Sequence, residues 1–185
     1  MKAFIATLIL LFSSCSQAAL IRFEADKSQY YTGDTIKVNL IVSQFSSVLG
    51  GFFAELLHNP LQLALQNWQF GTGFDDGLGS MQDWGYTAQG TLALSDYTFA
   101  TDEAQLSQQG DSFVLASFDF EALTAGNFWL DLNSNNSGLL SFDNDFVSYT
   151  NAPLNISVLA PAQIPVPATA MLLLAGLALL RTRRH

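Results

Sequence analysis

The sequence predicts an all-β domain, an antiparallel sandwich, framed by two targeting segments. From Thr35 to Val42 apolar and polar residues alternate without a break. Ile36, Val38, Leu40 and Val42 fall on one face and Thr35, Lys37 and Asn39 on the other, the period of a half-buried strand. The same period returns at Val114, Ala116, Phe118 and Phe120, at Phe128, Leu130 and Leu132, and at Leu154, Ile156 and Val158. Turn-forming residues separate these runs: Thr32, Gly33 and Asp34; His58, Asn59 and Pro60; Gly110 and Asp111; Thr124 to Asn127. Many short strands between such turns point to a sandwich. Helical spacing competes only in a short turn near Glu103 to Gln108.

In chain order, the first 19 residues read as a secretory signal peptide. Met1 and Lys2 form a basic start and Ala3 to Phe12 an apolar stretch. Ser16, Gln17, Ala18 and Ala19 then offer a small-residue cleavage site after Ala18 or Ala19. This implies passage through the Sec machinery. A rival reading rests on Cys15, the single cysteine, which ends an imperfect lipobox (Phe12, Ser13, Ser14, Cys15). If cleavage follows Ala18 or Ala19, the mature chain holds no cysteine and builds no disulfide framework.

Residues 20–159 are long enough for one domain with its own core. Their charge is one-sided: Arg22, Lys27 and Lys37 face all 16 acidic residues, a net charge of −13. Such a surface repels nucleic acid and anionic headgroups, so no nucleic-acid partner is expected. It suits calcium or weakly cationic partners.

Catalytic chemistry is scarce in this stretch. His58 is its one histidine, placed before Asn59 and Pro60 as a turn residue would be. No nucleophile elbow and no histidine-rich metal spacing occur. The carboxylate pairs Asp75 with Asp76, Asp102 with Glu103 and Asp143 with Asp145 would serve glycoside hydrolysis only if a cleft held them about 5–10 Å apart. Solvated loop acids explain them more simply, and no enzyme is expected.

Two features suggest binding. Asp131, Asn133 and Asn135 with Gly138 imitate the first oxygen ligands of a calcium loop. Asn136 stands where that loop needs glycine and Phe142 where it needs glutamate. No cofactor is expected; calcium in an irregular loop is the one candidate, beside the reading of an Asn/Ser-rich turn. The second feature, Asn67 to Tyr86, sets Trp68, Phe70, Phe74, Trp84 and Tyr86 among Gly71, Gly73, Gly77, Gly79 and Gly85. Loose backbone with flat rings suits sugar rings or a protein partner, and makes Trp68, Phe74, Trp84 and Tyr86 the candidate binding residues. Inward packing of Trp68 and Phe70 from a strand is the alternative.

The order of the pieces resembles the cohesin domain. The corresponding segments are Ile21 to Ala25, Gly33 to Leu40, Gly50 to Leu57 with His58-Asn59-Pro60, Leu61 and Leu63, Gly110 to Phe120, Gly126 to Leu130, and Phe146 to Val158. His58-Asn59-Pro60 stands where cohesins usually have Tyr-Asp-Pro. The resemblance implies a jelly-roll sandwich of about nine strands, the fold of cohesins and of several carbohydrate-binding modules, and a non-catalytic binding role.

The C-terminal segment has three parts. Residues 160–167 form a linker ending in Pro165, Val166 and Pro167, residues 168–180 are apolar, and residues 181–185 carry Arg181, Arg183 and Arg184. As a helix, the apolar run reaches about 20 Å, short of the roughly 30 Å bilayer core unless the membrane thins or the arginines snorkel. The arginines would stay cytoplasmic and leave the domain outside. A buried C-terminal helix is the plainer alternative. The arrangement resembles the sorting signal of PEP-CTERM proteins, with Val166 where glutamate is usual. That resemblance implies an exosortase partner, a helix inserted in the inner membrane at least transiently, and delivery to the surface or exopolysaccharide matrix of a Gram-negative bacterium. The combined expectation is a surface-sorted polysaccharide-binding module, with a cohesin-type protein-interaction module as the alternative and a matrix hydrolase the least favoured.

Overall fold

Alternation of apolar residues builds strands along more than half of residues 18–161, the part described by the computed structural model. The strands are β1 (Ala19–Ala25), β2 (Tyr30–Tyr31), β3 (Thr35–Ser43), β4 (Leu49–Leu57), β5 (Leu63–Phe70), β6 (Ser80–Ala88), β7 (Thr91–Thr98), β8 (Ser112–Ala122), β9 (Gly126–Leu132), β10 (Gly138–Ser141), β11 (Phe146–Val147), β12 (Tyr149–Ala152) and β13 (Leu154–Leu159). They form two sheets. The first runs β12-β1-β3-β8-β5. The second holds eight strands, with β4 at its centre, flanked by β9 and β10 on one side and by the β7–β6 hairpin on the other. Pairing is antiparallel except for β1 with β12 and β13 with β2.

The core lies between the sheets. Ile36, Val38, Leu40 and Val42 of β3 are all buried, as are Phe118 and Phe120 of β8, Phe128, Leu130 and Leu132 of β9, and Ile156 and Val158 of β13. The period-two reading therefore holds strand by strand, with one exception in β8. There the register with β3 shifts between Leu40 and Ile41, so Leu115 and Ala116 are buried in succession and Val114 leaves the inward face. A β-bulge flips the faces in this way.

The nine expected strands become thirteen segments among the described residues because longer ones are broken. The run Phe146 to Val158, expected as a single strand, is β11, β12 and β13. Pro153 has no N–H to give a ladder, and at that residue the chain leaves the first sheet for the second. The expected turn near residue 103 is a 3-10 helix, Glu103–Gln109, capped by Asp102. Buried Gln109 fastens this helix to Leu49 and to the carbonyl of Gly73.

Ala19 belongs to β1: it is 1% exposed, and its N–H donates to the Ser148 carbonyl at 2.9 Å. Cleavage after Ala18 would leave that strand whole. The remaining sorting residues, Cys15, Pro165, Val166, Pro167, Arg181, Arg183 and Arg184, lie outside the described residues, as do the apolar run 168–180 and the basic end.

Candidate interaction face

Each sheet turns one face to the core and one to solvent, and the two solvent faces differ. On the first sheet the outward residues are Arg22 and Glu24 of β1, Lys37, Asn39 and half-buried Ile41 of β3, and half-buried Val114, Ser117, Asp119 and Glu121 of β8. The polar ones predominate and several of them pair: Arg22 with Glu24 at 3.6 Å, Gln66 with Glu121 at 2.8 Å and Ser117 with Asn39 at 2.8 Å. This is the polar outside usual for an antiparallel sheet.

The outer face of the second sheet is apolar where β10, β4, β7 and β6 lie side by side. Phe53, Tyr97, Ala93 and Gly85, with Ser95 and Asp83 among them, line a shallow, open depression of about 420 Å³. Its flatness comes from two cross-strand pairs. Gly51 lies opposite Tyr97, and a Cβ on Gly51 would stand 2.4 Å from the Tyr97 ring. Gly138 lies opposite Phe53, and a Cβ there would stand 2.6 Å from the Phe53 ring. Each ring thus lies down over a glycine on the neighbouring strand, the arrangement by which aromatics cover sheet glycines. At Gly85 nothing occupies the space a Cβ would enter, so the face is hollow there. Exposed Met81 and Phe146 extend the apolar surface at either side, and Phe146 meets Phe53 edge-on at 6.3 Å.

A polar network borders the depression. Glu55 is buried, and its carboxylate accepts from Thr87 Oγ1 at 2.7 Å, Asn133 Nδ2 at 2.5 Å and Asn136 Nδ2 at 2.8 Å. These donors, Thr87 foremost, outweigh desolvation and hold the carboxyl below its ordinary range. Through them Glu55 pins the loop between β9 and β10 to the sheet. Asn133, a candidate calcium ligand, is therefore engaged with Glu55. Asp131 accepts from Asn151 and from the Leu132 N–H, and the Asn133 side chain also caps the N–H of Asn135. Among the described residues no group of three or more acidic, histidine or cysteine side chains gathers as a metal site.

The four aromatic candidates part company. Phe74 is 1% exposed, stacked on Phe52 at 5.8 Å and edge-on to Phe113 at 5.3 Å. It is a core residue, not a surface one. The glycines before it serve close packing rather than looseness: a Cβ on Gly71 would stand 1.8 Å from the Val114 carbonyl oxygen, and one on Gly73 would stand 2.0 Å from the Phe113 ring. Trp68 points inward and is half-buried at the open edge of the sandwich, 5.1 Å from Trp84 across the gap. Trp84 and Tyr86 are 54% and 60% exposed. The Trp68 and Trp84 rings cross at 65° and those of Trp84 and Tyr86 at 90°, so the three offer no common plane.

Three remaining groups are used locally or buried. Asp75 and Asp76 accept from backbone N–H groups of their own loop, and Asp102 caps the 3-10 helix. His58 is buried edge-on against Phe120 at 5.3 Å, its Nδ1 without a hydrogen-bond partner, and burial pushes its pKa down. Asp96 points inward from β7 at 0% exposure. Its Oδ1 also lacks a partner, and burial pushes its pKa up, helped by the charge of Asp75.

The face residues Phe53, Tyr97, Gly51 and Gly138 were not legible in the sequence as a site. Each glycine meets its ring only through strand pairing, at separations that no local pattern reports.

The sequence matches no protein-family model and no curated protein. Among solved structures, a type II cohesin domain from the cellulosome of Acetivibrio cellulolyticus is similar with a TM-score of 0.65 at 13% identity, covering 76% of this chain and 95% of that one. A non-cellulosomal cohesin from the hyperthermophilic archaeon Archaeoglobus fulgidus is similar at 0.59 and 13%, over 77% and 92% of the two chains. A type II cohesin–X-dockerin complex from A. cellulolyticus gives 0.59 and 15%, over 79% and 98%. The domain is cohesin-like in fold.

Proposed function

We propose that this chain is a non-catalytic protein-interaction module and that its partner docks on the outer face formed by β10, β4, β7 and β6. The observation that carries the reading is the asymmetry of the two solvent faces. One is mostly charged and amide side chains, several of them paired; the other lays Tyr97 over Gly51 and Phe53 over Gly138 to make a flat, mainly apolar surface. Apolar patches rimmed by polar groups mark interaction sites. The cohesin-like fold supports the same reading, since one similar structure is a cohesin in complex with a dockerin. A polysaccharide ligand has less support, because Trp84 and Tyr86 stand at right angles and form no stacking platform.

The module would work outside the cell, delivered by the signal peptide and then held or released by the C-terminal segment under an exosortase. Intact-mass analysis of the protein from cells and from their matrix tests this part. A chain beginning at Ala19 and ending near Pro165 is expected, and a chain running from Met1 to His185 would contradict it. The docking claim is tested by affinity capture with and without the double substitution Phe53→Ser and Tyr97→Ser. A discrete protein that survives glycan removal and is lost from the double variant is expected. Retention that depends on glycan would restore the polysaccharide reading.

A further inference from the structure

We infer that the partner also engages by strand addition, an extended segment bearing lysine or arginine pairing with the free edge of β6. This deepens the reading above and rests on it. Unpaired sheet edges are hazards that proteins blunt with short strands, bulges, proline or lysine. Most edges here are blunted: β12 has four residues and β2 and β11 have two each, while β5 carries a register shift in its middle, between Leu65 and Asn67. Among the described residues nothing pairs with the outer edge of β6, and its one register shift lies at its end, between Tyr86 and Ala88. The strand is nine residues long, contains no proline or lysine, and keeps unbroken register with β7 from Ser80 to Tyr86. Met81, Trp84 and Tyr86 on it are all more than half exposed.

The backbone of that edge is set up to pair. The N–H of Trp84 is turned away from β7 and donates to the carboxylate of its neighbour Asp83 at 2.9 Å. In an antiparallel pair the outward N–H groups recur at every second residue, so those of Gln82 and Tyr86 face the same way. Asp83 is a temporary cap: a side chain that can rotate aside and leave the donor to an incoming carbonyl.

Charge decides the occupant. The sequence has no lysine or arginine between Lys37 and Arg181, and among the described residues the one ion pair is Arg22 with Glu24, so Asp83, Asp75 and Asp76 around this edge have no cation paired with them. A second copy would bring the same uncompensated acids to the seam. A basic strand supplies what is missing. Alternation fixes its pattern: basic side chains on the side of Asp83, apolar ones on the side of Trp84 and Tyr86.

The test uses the purified protein and a nine-residue synthetic peptide of alternating lysine and valine, with amide hydrogen exchange as the readout. At saturating peptide the Gln82, Trp84 and Tyr86 amides are expected to slow at least tenfold. The glutamate–valine peptide and a lysine–valine peptide N-methylated at alternate residues should have no effect. Trp84→Pro should abolish the slowing at Gln82 and Tyr86 while the β7 amides keep their protection, since proline at an outward position removes the edge donor and spares the β7 ladder. Equal slowing by the N-methylated peptide overturns the proposal, and so does the absence of slowing on β6. Protection of the same amides in a peptide-free dimer would overturn it in favour of a second copy. If the peptide fails on β6 while the Phe53 and Tyr97 variants still lose the captured protein, strand addition falls and the docking face stands. If the peptide protects β6 but those variants retain the protein, the docking face falls instead.

Discussion

Phe53 lies directly opposite Gly138 across the β4–β10 ladder, and its ring occupies the place where a side chain at position 138 would stand. Gly51 and Tyr97 repeat the arrangement one strand over. The glycines are therefore part of the surface, because they let two rings lie flat.

Gly51→Ala should destabilise the domain by about 1–3 kcal/mol, the usual range for overpacking. The new Cβ meets both the Tyr97 ring and, at 3.0 Å, the Asp96 carbonyl oxygen. At Gly138→Ala the three nearest atoms all belong to the Phe53 ring, so it should cost less and lift that ring off the face. Urea titration with near-ultraviolet circular dichroism reads both effects.

Phe74→Ala should cost about 3–5 kcal/mol as a cavity in the core. Trp84→Ala, at an exposed edge, should cost less than about 1 kcal/mol. Equal and small losses in chemical denaturation would return Phe74 to the surface.

These two aromatics show how far the sequence could be read. Strands announce themselves through period two, and Ile36 to Val42 and Phe128 to Leu132 are buried as alternation predicts. Phe74 sits in a loop with no period to assign its face. Its neighbours Gly71 and Gly73 look like flexibility, yet they press against β8. The bulge at Leu115 and the break at Pro153 are tertiary choices that alternation cannot foresee. Trp84 and Tyr86 were legible as exposed rings. The pairing of Gly51 with Tyr97 joins residues 46 positions apart in the chain, and only the topology brings them together.

Burial keeps His58 neutral in the fold, with its pKa below the ordinary 6.5. The unfolded chain therefore binds the proton more readily, and stability is lost as pH falls from about 6.5 toward the folded-state value. His58→Phe, which can keep the contact with Phe120, should flatten melting temperature against pH in that window. An unchanged slope would assign the loss to other groups.

Asp96 has the opposite sign. Its folded-state pKa is raised above 3.8 by burial, so the fold carries a charge penalty at neutral pH that is relieved as pH falls through that raised value. Asp96→Asn should therefore melt higher than the wild type at pH 7. The difference should shrink as pH approaches 3.8. A variant less stable at pH 7 would mean that the charge is compensated.

The most direct test of the docking face is photo-crosslinking in the cell that makes the protein. A photoreactive phenylalanine analogue is placed at Tyr97, and in a separate chain at Asn39 on the opposite polar face. The account predicts one discrete protein adduct from position 97 and none from position 39. Adducts of equal yield from both positions, or no protein adduct from position 97, would contradict it.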